Sequence, residues 1–173
     1  MTARFRRRGA VVTARFTADE AAVLRQVVGE VLGLLGGPSA AVDDPLAGLD
    51  AAPDRPTDPV LARLFPDGYS GDPEAAGELR RLTESSLRAE KVRNAQAVMT
   101  ALPETGGAVR LPDEETVDAW LRALNDVRLA LGTRLRVSED MALPAGPAPY
   151  ALVVYDWLGW LQETLVRSAS VGG

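Results

Sequence analysis

The sequence predicts a mainly α-helical fold of five or six helices with a minor two-stranded β-ribbon. Three observations carry this expectation. Apolar residues recur at helical spacing over residues 17–35, 113–135 and 150–167. Two short segments, near 10–16 and 107–111, alternate apolar and polar side chains as half-buried strands do. Proline-rich stretches separate them and suit neither element. The 173 residues suit a single domain, 1–173, with a flexible Pro/Asp-rich loop at about 38–57 and a second loop at about 136–149.

In chain order the first feature is basic. Arg4, Arg6, Arg7, Arg8 and Arg15 all precede the first acid, Asp19. In AVVTARF, Ala10, Val12, Ala14 and Phe16 share one face, and Val11, Thr13 and Arg15 share the other. An uninterrupted strand would put Arg4, Arg6 and Arg8 beside Val12 and Phe16. Pairing is therefore expected to begin near Gly9, leaving residues 1–8 as a mobile or edge segment. Thr17 and Glu20 form the capping box T-x-x-E, a helix start. Ala21, Leu24, Val28, Val31 and Leu35 continue that helix as an apolar stripe, which Gly36 and Gly37 end.

Pro38, Pro45, Pro53 and Pro56 mark the first loop. Asp58 and Pro59 then open a short helix, DPVLARLF. A long helix is expected from Asp72-Pro73 to about Leu102, with Ser85 and Ser86 as a candidate break. GGAVRLP supplies the second strand, Val109 and Leu111 on one face. Another helix runs from near Asp113 to about Leu135. After Pro144, Pro147 and Pro149 comes the last helix, apolar nearly all round, with Asp156, Trp160, Glu163 and Arg167 along one more polar line.

Composition excludes much chemistry. Cys and His are both absent, so there is no thiol chemistry and no imidazole base or ligand. No catalytic set, cofactor motif or metal site is recognisable. GLLGGPSA lacks the GK[ST] and the preceding strand of a phosphate loop. Glu114-Glu115 sits at a helix start, where acids favour the helix dipole and imply no reaction. No apolar run approaches the ~20 residues of a membrane span, and no signal-peptide core follows the basic start. The expected location is cytoplasmic, without a membrane partner.

Three groups of charged residues remain as candidate sites. The first is the N-terminal set Arg4, Arg6, Arg7 and Arg8, either a solvated strand edge or an arm for phosphate or an acidic partner. The second is Arg81 and Arg88, two turns apart on the long helix, expected on a solvated face but able to join the first set in one basic surface. The third is Arg128. It sits in the apolar stripe Val117, Trp120, Leu121, Leu124, Val127 and Leu131, so a buried partner is expected, Asp156 or Glu163. The net charge of -5 weighs against binding held mainly by nucleic-acid phosphates.

The stretches FRRRGAVVTARFTADEAAVLRQV, LRRLTESSLRAEKVRNAQAV, WLRALNDVRLALGTRL and VYDWLGWLQETLV together resemble an actinobacterial family of unknown function. Genes of that family commonly neighbour a protease adaptor of the N-end pathway and genes of the sulfur-carrier route to cysteine. Some members are known as regulators of transcription under oxidative stress. The resemblance implies regulation, but thiol sensing does not carry over to a chain without cysteine. The expected function is thus a non-enzymatic regulatory or adaptor protein with a protein partner. A DNA-binding regulator using the arginine clusters, and an enzyme working through carboxylates, are the alternatives. A homodimer is compatible with either binding role.

Overall fold

The computed structural model describes residues 1–36, 58–66, 73–136 and 149–170, with side chains throughout except over 73–82. The loops expected at 38–57 and 136–149 lie outside these residues, Arg136 and Pro149 apart. The described elements run β1 (Arg6–Arg8), β2 (Val11–Phe16), α1 (Ala18–Leu35), α2 (Pro59–Leu64), α3 (Pro73–Ala101), β3 (Gly107–Leu111), α4 (Glu114–Leu135) and α5 (Tyr150–Ser170). The mainly α expectation holds, with five helices among the described residues. The ribbon, however, has three strands: an antiparallel sheet in the order β1-β2-β3.

The extra strand comes from the arginine run. Gly9, at φ +63, opens a two-residue turn that pairs Arg8 with Val11 and Arg7 with Val12. That register exchanges the parity of the two strands. Odd residues of the N-terminal segment join the even residues of β2 on the inner face. Ala3 and Phe5 are accordingly buried with Val12, Ala14 and Phe16, while Arg4, Arg6 and Arg8 turn outward. The expected start of pairing near Gly9 is therefore corrected. Residues 6–8 are the edge strand itself, and the parity conflict that argued against it is removed by the turn.

Residues 2–5 are held as well. The Glu20 carboxylate of the capping box accepts the Thr17 N–H at 2.9 Å, the Ala3 N–H at 2.9 Å and the Thr2 N–H. The Phe5 N–H donates to Thr164 Oγ1 of α5 at 3.1 Å. Burial alone would raise the Glu20 carboxyl. The hydrogen bonds from Thr17, Thr2 and Ala3 outweigh it and hold the group below its ordinary value.

Helices cover one side of the sheet. Phe5 and Phe16 meet Trp120 of α4 at centroid distances of 5.5 and 6.3 Å, and Phe16 meets Trp157 of α5 at 6.5 Å. This aromatic cluster joins the sheet to the antiparallel pair α4 and α5. Leu24, Val28 and Val31 of α1 and Val98 of α3 complete the buried core. Gly106 makes the turn into β3 at φ +78, where a Cβ would lie 2.6 Å from the backbone of Thr17 and Ala18. Only glycine fits there. The break considered at Ser85 and Ser86 is absent, and α3 runs through both. None of the described helices is long and apolar enough to cross a membrane.

Candidate functional site

The arginines divide by role. Arg7 lies on the inner side of β1, and its Nε and Nη2 donate to the carbonyls of Ser168 and Ala169 at 2.8 and 3.2 Å. It closes the last turn of α5, where carbonyls lack intrahelical donors. Arg88 is only 8% exposed. Its Nη1 donates to Leu35 O at the end of α1 at 3.0 Å, and its Nη2 to Glu84 Oε1 at 2.9 Å. Its guanidinium lies over the Phe65 ring, 4.7 Å from the centroid. Arg25 donates likewise to Leu102 O, just past the end of α3. Three helix ends are thus closed by arginines from other elements.

This corrects the reading of Arg7 and Arg88 as surface residues. Both are committed inside the fold, by the unsatisfied carbonyls of α5 and α1. The Arg81 side chain lies outside the described residues. A basic surface joining the N-terminal arginines to Arg88 is not formed.

The outer face of the sheet tells the opposite story. Cross-strand pairing sets Arg6 beside Thr13 and Thr13 beside Arg110, Arg8 beside Val11, and Arg15 beside Ala108. All of these point away from the helices. Arg4, Arg6, Arg8, Arg15 and Arg110 are exposed and line one shallow concavity of about 640 Å³. Neighbouring strands lie about 4.8 Å apart, so Arg6 and Arg110, on either side of Thr13, are about 10 Å apart in the sheet. Among the described residues no carboxylate forms a salt bridge with any of the five. Arg4, Arg6 and Arg8 were legible in the sequence. Arg15 was placed outward but not joined to them, and Arg110 was missed, because the register that unites them spans strands far apart in sequence.

Arg128 is half-buried but finds neither expected acid. Its Nη1 donates to Gln162 Oε1 at 2.8 Å, and its guanidinium stands over the Tyr155 ring, 5.2 Å from the centroid, against Gly159. Tyr155, Gly159 and Gln162 follow the i, i+4, i+7 line of α5 that faces α4. Asp156 is one residue, or ~100°, off that line and is exposed. Glu163 is exposed too, and bonds Arg167 one turn along, at 2.5 Å. The ion pair that α4 does bury lies elsewhere on it: Lys91 Nζ of α3 meets Asp126 Oδ1 at 2.6 Å. Burial raises the Asp126 carboxyl, and Lys91 opposes that rise. Ala123 and Ala130, three residues before and four after Asp126, share its helix face and are buried with it. Among the described residues no group of three or more acids is placed to hold a metal ion.

The chain is 38% identical to a putative oxidative stress regulator, AosR, of Mycobacterium leprae, over 85% of this chain and 77% of the relative. It is 34% identical, over the same shares, to the oxidative stress regulator AosR of Mycobacterium tuberculosis and of Mycobacterium bovis. No solved structure matches it. Residues 1–169 match the domain of unknown function DUF2017, and the chain belongs to that family.

Proposed function

We propose that the protein is a regulator that works by binding rather than by catalysis, presenting the outer face of its sheet to an acidic segment of a partner protein. The observation that carries this reading is the gathering of Arg4, Arg6, Arg8, Arg15 and Arg110 on one open face without a described counter-charge. Five like charges so close together repel one another, and an anionic ligand relieves that repulsion. The names of the relatives support regulation. The lack of cysteine means that any stress signal reaches this chain through a partner or by a route other than its own thiols.

Duplex DNA is the competing ligand. The net charge of -5 weighs against it, because a phosphate duplex would meet repulsion beyond the small sheet. Titration of the chain with polyglutamate and with duplex DNA, each at low and moderate salt, tests the choice. Arg6→Glu with Arg110→Glu should abolish polyglutamate binding while leaving the melting temperature unchanged, since both side chains are exposed. Tighter binding to duplex DNA, lost in the same double variant, would overturn the protein-partner reading.

A further inference from the structure

The arginine face does not end at the edge of the sheet. Beyond β1 lies a second concavity of about 350 Å³, whose walls include Arg4, Arg6, Phe5, Trp160, Thr164 and Arg167. Arg4 and Arg6 line both concavities, so the two are one continuous surface. Trp160 stands at the far side and is 41% exposed. The other two tryptophans of the chain, Trp120 and Trp157, are buried in the core. Val153, two helical turns before Trp160 and thus about 10 Å away on the same face of α5, is 44% exposed. Tyr150, one turn further back, is 65% exposed. The positive surface thus adjoins an exposed tryptophan, with Val153 and Tyr150 exposed further back along α5.

Exposed tryptophan beside arginine is the composition of interface hot spots, and adjoining apolar side chains left in water mark a covered surface. We infer that the two concavities form one docking track for a protein segment of bipartite chemistry, with carboxylates over the arginine face and an apolar side chain seated against Trp160. This rests on the proposed function above and adds the second half of the ligand. The charge pattern of α5 selects a peptide over a single-stranded nucleic acid, although stacking on tryptophan suits both. Asp156 and Glu163 flank Trp160 as exposed acids. A nucleic acid carries a phosphate at every residue and would set one against them. A peptide can confine its charge to the arginine end and cross α5 with neutral residues.

Selection of a displayed random-peptide library on the full chain tests this, with the selected peptides then synthesised and titrated. The expected peptides carry an acidic run followed by an apolar residue. They should lose about tenfold or more in affinity to Arg6→Glu and, separately, to Trp160→Ser. Both side chains are exposed, and unchanged melting of each variant confirms that the fold is intact. Replacing the apolar residue of the peptide by serine should cost affinity for the parent chain but not for Trp160→Ser. If the selected peptides are acidic only, and Trp160→Ser binds them as the parent does, the track is overturned while the arginine-face reading stands. If no peptide depends on Arg6, or a single-stranded oligonucleotide binds more tightly through Arg6 and Trp160 together, both are overturned.

Discussion

Arg88, in the middle of α3, donates to the carbonyl of Leu35 at the end of α1, and this one contact docks two helices and finishes one of them. Arg88→Ala leaves that carbonyl and the Glu84 carboxylate without their shared donor in a buried place. It should cost about 2–3 kcal/mol in denaturant unfolding. Arg122 makes an ion pair with Glu90 at the surface, and Arg122→Ala should cost under about 1 kcal/mol. Equal losses in the two variants would show that Arg88 gains nothing from its buried position.

Lys91 and Asp126 should behave asymmetrically. Lys91→Met alone strands a buried carboxylate and should cost about 3–5 kcal/mol, whereas pairing it with Asp126→Leu should recover most of that loss. The single variant should also change its pH dependence. The folded Asp126 carboxyl already sits above its ordinary value, so the folded state binds the proton more tightly than the unfolded chain. Stability of Lys91→Met should therefore rise as pH falls through the range of that carboxyl. Urea melts across the acid range read both effects.

Glu20 should act in the opposite sense. Its carboxyl is held below the ordinary value, so its contribution is complete at neutral pH and disappears as pH falls through the folded value. Glu20→Gln should remove that part of the acid sensitivity. At neutral pH it should cost about 1–2 kcal/mol, because an amide cannot accept from Thr2, Ala3 and Thr17 with both of its atoms.

Gly106→Ala places a methyl 2.6 Å from the start of α1 on a backbone already at positive φ. Stability should fall by about 2 kcal/mol or more. Gly9→Ala has the same sign of φ but open space around it, and should cost less. Thermal melting of the pair separates steric conflict from backbone strain.

The helices were legible because each announces itself locally. Thr17 with Glu20 and Asp58 cap α1 and α2 as the sequence foretold, Asp113 caps the helix expected to start near it, and the apolar stripes of α1 and α4 are the faces that became buried. β1 was not legible, because its one inward residue is Arg7, an arginine that acts as a helix cap, and the apolar Ala3 and Phe5 lie before it. Composition cannot distinguish an arginine that closes a distant helix, such as Arg7 or Arg88, from one that faces water, such as Arg6. That distinction is set by unsatisfied carbonyls on other elements. Arg128 shows the same limit. Its stripe foretold partial burial, but its partner depended on which line of α5 turned inward, and a rotation of one residue exchanged a carboxylate for Gln162.

The Phe5–Thr164 hydrogen bond joins residues 159 positions apart. Contacts of such separation close late in folding, after local helices have formed. The placement of β1 therefore depends on a helix far along the chain, because Phe5 and Arg7 both bond α5. Whatever loosens α5 should loosen the edge strand with it, and with the strand the spacing of Arg4, Arg6 and Arg8.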